Sequence, residues 1–253
     1  MKFEIYEGRA IVDKAKNVIL EYLKAFATDK RHMGYDSCIV VIMGHGNDGI
    51  IHDIYGNAID INHEILSLFN GTNAPGLAGK PKFFIFEACR GGNFDEGAVI
   101  NQQKSSTQVS NSQSPNYLYE SNNDFNNISK FLFETHDAQR VSLYSDFLVF
   151  YATVPTMVSY RYDLNYDLAN SPEMLALEGS KFIAVIYEVF YNFAHIRDLE
   201  YMATIIKGRV GSQQVLVVNE QTKKYEIKYQ QPQFVTTNGK KYFMFPGVYI
   251  ESS

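Results

Sequence analysis

Cysteine is scarce in this chain, with two among 253 residues. That is too few for the disulfide frameworks that hold small secreted domains together. No apolar run approaches the ~18 residues a membrane-spanning helix requires. The charged opening, with Lys2, Glu4 and Glu7, lacks the pattern of a secretory leader. Excess positive charge is missing too: 23 Lys and Arg face 28 Asp and Glu, a net charge of −5. No basic patch is therefore available to pair with nucleic-acid phosphates. No His or Cys group has metal-ligand spacing, so neither a metal nor another cofactor is expected. These absences together predict a soluble cytoplasmic protein without a membrane or nucleic-acid partner.

Apolar residues are plentiful, at 45% of the chain, with 14% aromatic, enough to bury the core of one large domain. Two runs organise the rest. Cys38-Ile39-Val40-Val41-Ile42-Met43 precedes Gly44-His45-Gly46, and Phe83-Phe84-Ile85-Phe86 precedes Glu87-Ala88-Cys89-Arg90-Gly91. Unbroken apolar runs of this kind suit central parallel strands covered on both faces. Ligands of open α/β sheets bind beyond the carboxyl ends of such strands. His45 and Cys89, 44 positions apart, are thus expected to be neighbours in space.

Phe3–Tyr6 alternates as a strand would. Apolar residues from Val12 to Phe26 recur at helical spacing. Ile50–Tyr55, between Gly49 and Gly56, predicts a hairpin, and Asn62 is placed to cap a helix over His63–Phe69. Phe147–Thr153 reads as another buried strand, Ser180–His195 as a helix, and Val215–Val218 and Tyr242–Phe245 as late strands. Tyr162–Gly179 reads as a long loop of the kind that often carries function. The alternation of strands and helices indicates a mainly parallel α/β sheet with helices on both faces.

Residues 101–130 break the pattern, because Asn, Gln and Ser fill 18 of these 30 positions. Such a segment buries too little apolar surface to offset its ordering entropy. The expected organisation is therefore a first part over 1–100, a polar, protease-accessible linker over 101–140, and a second part over 141–253.

A thiolate is the nucleophile of cysteine chemistry, and a nearby imidazole moves the proton. Cys89 with His45 fits that pairing, while Cys38, inside a strand, is expected to be buried and inert. Glu87-Ala88-Cys89-Arg90-Gly91 departs by one residue from the caspase signature Gln-Ala-Cys-Arg-Gly, and the histidine stands at a comparable spacing upstream. Gly79-Lys80-Pro81-Lys82, Asp146-Phe147-Leu148-Val149, Tyr151-Ala152-Thr153-Val154-Pro155 and Ser159-Tyr160-Arg161 follow in the right order. The chain resembles the large and small subunits of a caspase.

The resemblance implies a caspase-like sheet and a cysteine endopeptidase that cleaves protein substrates after Asp in programmed cell death. It implies an oxyanion hole from the amides of Cys89 and Gly46. An arginine at Arg161 would hold the P1 side chain, with Ser159 and Tyr160 lining the groove. It implies a zymogen and a homodimer or a heterodimer with another caspase, through the late strands. Asp137, preceded by Glu134-Thr135-His136, is a processing candidate, followed by Asp124 and Asp95. Two departures stand out. Glu87 occupies the position of a substrate-binding glutamine, where alternation puts it on the face of Cys89; it would pair with Arg161 or Arg90, or disfavour an acidic P1. The family's first strand and a second arginine would precede Met1. An alternative role, a catalytically weak homologue that regulates an active caspase, follows from these departures.

Overall fold

The computed structural model describes residues 4–98, 141–162, 179–219 and 221–244. Internal contacts divide the chain into two units, one formed by 1–97 with 142–253 and the other by 98–141. Nearly all of the second lies outside the described residues, as do Asp124 and Asp137 and residues 163–178 of the expected long loop.

The main sheet contains β1 (Cys38–Met43), β5 (Lys82–Glu87), β6 (Phe147–Tyr151) and β11 (Gln233–Thr236), in that order. β1, β5 and β6 are parallel and β11 is antiparallel to β6. The three strands β2 (Gly46–Asn47), β3 (Ile50–His52) and β4 (Ala58–Asp60) form a small antiparallel sheet directly after β1. β7 (Arg161–Tyr162) pairs with β8 (Gly179–Ser180), and β9 (Val215–Val218) with β10 (Tyr225–Lys228).

Side-chain alternation explains why β5 and β6 have no polar face. Phe84, Phe86, Val149 and Tyr151 point into one core with Ile59, Ile61 and Phe69. Helix α1 (Lys16–Ala27) packs Leu20, Leu23 and Phe26 against that core. Phe83, Ile85, Leu148 and Phe150 point the other way, into a core closed by α2 (Lys181–Phe193) and α3 (Leu199–Ser212). Each buried phenylalanine contributes roughly 2–3 kcal/mol of transfer free energy. Cys38 is buried as expected, and burial pushes its thiol up to about 12.

Five sequence expectations are corrected. Residues 4–6 form no strand; the segment makes a single turn over Tyr6–Gly8. α1 starts at Lys16 rather than Val12, because Asp13 has φ 50° and Ala15 is extended. The orphan amide of Lys16 is satisfied from a distance by the Asp53 carboxylate, at 2.7 Å. The helix expected over 63–69 is a π turn (Ile61–Ile65) continued by a 3-10 turn, capped by Asp60 and not Asn62. β1 ends the main sheet among the described residues, and Val41 and Met43 are 50% and 54% exposed. Its apolar run therefore does not mark a strand covered on both faces. Of the expected strand at 242–245, an isolated bridge between Phe243 and Asp198 is found, and Phe245 lies outside the described residues.

Candidate active site

The register of β1 on β5 sets the site. Met43 lies opposite Glu87, and the Gly44 amide donates to the Glu87 carbonyl at 3.0 Å. The two strands therefore end level, delivering His45-Gly46 and Cys89 to the same rim of the sheet. Gly46 leaves the sheet so close to the cysteine loop that a Cβ on it would lie 3.0 Å from both Ala88 Cβ and the Cys89 carbonyl oxygen, and 2.6 Å from the Ile50 carbonyl oxygen. Only glycine fits there. His45 is exposed, while Cys89 is half-buried. A sulfur below the rim with an imidazole open to solvent leaves room for a substrate.

The loop after Cys89 is laced to the loop after β6. Arg90 and Thr156–Met157 exchange two backbone bonds of 2.9 and 2.8 Å, and Asn93 bonds to Thr156 and Val158 at 3.0 and 3.1 Å. Gly91 lies between them, where a Cβ would sit 2.2 Å from the Thr156 carbonyl oxygen. This lacing brings Ser159 under the thiol. The Ser159 amide donates to Cys89 Sγ at 3.4 Å, and the Ser159 carbonyl and hydroxyl oxygens lie 3.6 and 3.8 Å away.

Glu87 is 7% exposed. Ser180 Oγ donates to its Oε2 at 2.6 Å, and Ser159 bonds the same carboxyl. Burial drives this carboxyl up to about 7, against the opposing pull of the two serine bonds. Ser159 thus touches both Cys89 and Glu87. Alternation did put the glutamate on the cysteine's side, but the side chain is sealed by two serines and does not line an open pocket. The expected Glu87–Arg90 pair does not form. Arg90 binds Asp48 at 3.0 Å, bonds to Gln233 and stacks over the Tyr151 ring at 4.2 Å. Arg161 lies opposite Ser180 in the β7–β8 ladder; its side chain is outside the described residues.

Tyr160 also differs from expectation. It is buried, its amide donates to Gln230 Oε1 at 3.0 Å, and burial raises its phenol to about 12. It supports the site from behind and does not face a groove. Asp95 forms an isolated bridge with Tyr229 and accepts from Gly97, so its backbone is tied down. Sequence reasoning missed Ser180 and Gln230. Ser180 caps α2 by accepting from the Ile183 amide at 3.2 Å while bonding Glu87. Gln230 links Tyr160 to the Ala152 carbonyl. A serine at a helix start is visible in the sequence, but its second bond crosses 93 positions. Among the described residues no group of His, Cys, Asp and Glu could hold a metal ion, and no helix is long and apolar enough to cross a membrane.

The family description "Peptidase_C14: Caspase domain" matches residues 2–243. The chain is 28% identical to mouse caspase-8 over 195 residues, covering 74% of this chain and 35% of that protein. It is 29% identical to human caspase-9 over 210 residues, covering 78% and 44% respectively. It therefore spans less than half the length of these relatives. The crystal structure of caspase-1 from Spodoptera frugiperda superposes with a TM-score of 0.66 at 18% identity, covering 91% of this chain and 71% of that one. With a caspase-type fold, and a caspase-domain description matching nearly its whole length, the chain belongs to the caspase family of cysteine peptidases.

Proposed function

We propose that this chain is a cysteine endopeptidase acting on protein substrates, with Cys89 as nucleophile and His45 as proton carrier. The observation that supports it best is the level ending of β1 and β5, with Gly46 packed against the backbone of Ala88 and Cys89. His45 takes the proton from Cys89 Sγ, and the thiolate attacks the scissile carbonyl carbon. The amides of Cys89 and Gly46 receive the developing oxyanion, the contribution that usually dominates acyl transfer. His45 then returns the proton to the departing amine, and water, activated by the same imidazole, releases the acid from the thioester. The Ser159 amide, 3.4 Å from the sulfur, positions it between these steps. Arg161 binds an acidic P1 residue from the strand that carries it, and Glu87 modulates that preference from below. Cleavage at Asp137 or Asp124 separates the two parts of the domain and relieves a zymogen; the active form is a dimer, in the cytoplasm and in programmed cell death.

Incubating the protein with a broad peptide library and sequencing the cleaved products tests this reading. The native chain is expected to cleave after Asp and its Cys89→Ala form to cleave nothing. Equal product profiles from the two would end the enzymatic account. Glu87 favours one other reading, a weak peptidase that binds and regulates an active caspase, because an ionised carboxylate beneath the site opposes an acidic P1 residue. Under that reading, Cys89→Ala protein captures an active caspase and changes its rate.

A further inference from the structure

The carboxyl of Glu87 stands in a hydrogen-bond chain that reaches the cysteine sulfur. Glu87 is buried, and its partners are Ser180, which caps α2, and Ser159, in the loop after β6. Ser159 continues to Cys89: its Oγ lies 3.8 Å from Sγ, and either atom can be the donor. The chain thus runs from Ser180 through Glu87 and Ser159 to Cys89. Each hydroxyl in it has one hydrogen to give. Which group gives to which depends on whether the carboxyl holds a proton.

At Ser180 the direction is fixed. Its Oγ accepts from the Ile183 amide at 3.2 Å and donates to Glu87 Oε2 at 2.6 Å. At Ser159 the direction can reverse. An ionised carboxylate only accepts, so it takes the Ser159 hydrogen and leaves an Oγ lone pair facing Sγ. That lone pair accepts the thiol hydrogen and holds it away from His45. A protonated carboxyl has a hydrogen of its own and, with Ser180 already donating, gives it to Ser159 Oγ. The Ser159 hydrogen then turns to the sulfur, and the thiol hydrogen is left for the imidazole. Burial brings the carboxyl up to about 7, so both arrangements occur around neutral pH. The charged groups nearby are engaged elsewhere: Arg90 binds Asp48 and Gln233, and Lys181, next to Ser180 on α2, donates to the Gln214 carbonyl. β1 presents Met43 opposite Glu87, and His45 shares the rim with Cys89. The Arg161 backbone lies opposite Ser180, with its side chain outside the described residues.

We infer that Glu87 is a positioning residue for Cys89 that acts through the Ser159 hydroxyl: protonated, it turns the serine hydrogen towards the sulfur, and ionised, it withdraws that hydrogen. The inference rests on Cys89 and His45 as the reacting pair, but it is read from thiol alkylation, which needs neither peptide cleavage nor an acidic P1 residue. The rate of Cys89 alkylation by iodoacetamide is measured against pH in the native chain, Glu87→Gln, Ser159→Ala and the double variant. Protection of buried Cys38 in each protein shows that the fold is kept. Glutamine donates from its amide nitrogen to Ser159 Oγ at every pH, as the protonated carboxyl does. Glu87→Gln is expected to react at the native rate near pH 5 and about two- to tenfold faster near pH 8, the effect of one neutral hydrogen bond. In the Ser159→Ala background the same substitution should make no difference at any pH, and Ser159→Thr, which keeps the hydroxyl, should restore the native dependence. If this pattern holds while the native chain cleaves no peptide, the endopeptidase reading fails and the coupling stands. A rate ratio that is constant with pH overturns the inference. So does a pH-dependent ratio that survives Ser159→Ala, because the charge of Glu87 would then act without the serine.

Discussion

Replacing Glu87 by Gln isolates the effect of one buried carboxyl on stability and specificity. In the folded protein, burial lifts this group from an ordinary 4.5 to about 7 although two serines hydrogen-bond to it. Between these two values the folded chain holds a proton that the unfolded chain has released. Stability therefore falls as pH rises from about 4.5 to about 7 and is level beyond. At 1.36 kcal/mol per tenfold change in proton affinity, the full loss is about 3 kcal/mol. Glutamine keeps an oxygen for the Ser180 hydroxyl and cannot ionise. Urea unfolding of both proteins at several pH values gives the difference directly, because every other titrating group is common to the two. The variant is expected to match the native chain near pH 4 and to exceed it by about 3 kcal/mol at pH 8. A difference that stays constant with pH refutes the assignment of a near-neutral Glu87. Activity should follow the same group. An ionised carboxylate buried beneath the site opposes an acidic P1 side chain by like-charge repulsion. Cleavage after Asp should then decline above pH 7 in the native chain and decline less in Glu87→Gln.

Other outcomes follow from the packing. Gly91→Ala would drive a methyl into the Thr156 carbonyl, so the loops must part; thiol alkylation of Cys89 should change rate, and stability should drop by about 1–3 kcal/mol, measured by chemical denaturation. Ser180→Ala removes a helix cap and a bond to Glu87 together, with an expected loss of about 1–2 kcal/mol, larger at pH 8 than at pH 5. Phe150→Ala empties a fully buried site against Phe182 and Phe234 and should lower stability by about 3–5 kcal/mol in the same assay. Arg90→Lys loses stacking on Tyr151 and a fork onto Asp48 and Gln233; peptide turnover should fall, and near-native turnover would show that Arg90 does not hold the cysteine loop.

The parts of the fold that the sequence foretells are those whose signal is local. β5 and β6 are runs of aromatic and branched residues buried on both faces, and they were read from composition alone. β1 gives the same signal, yet it ends the sheet among the described residues, because an apolar run does not say how many neighbours a strand has. β11 was missed: Gln233 and Thr236 dilute its pattern, and Pro232 precedes it, so its place beside β6 is decided by the sheet. In the site, Cys89 and His45 announce themselves through flanking glycines. Gly46 and Gly91 are required by close backbone approaches that only tertiary structure creates. Tyr160 could not be placed from its neighbours, because its burial depends on Gln230, 70 positions away. Glu87 was legible as an oddity of type and face; its near-neutral state depends on Ser159 and Ser180.

The central claim is that Cys89 and His45 act as one unit at the rim of the sheet. Measuring the rate of Cys89 alkylation by iodoacetamide against pH, in the native chain and in His45→Ala, tests it most directly, with buried Cys38 as the unreactive internal standard. The account predicts that Cys89 in His45→Ala alkylates more slowly and with a different dependence on pH than in the native chain. Identical pH profiles for the two proteins would contradict it.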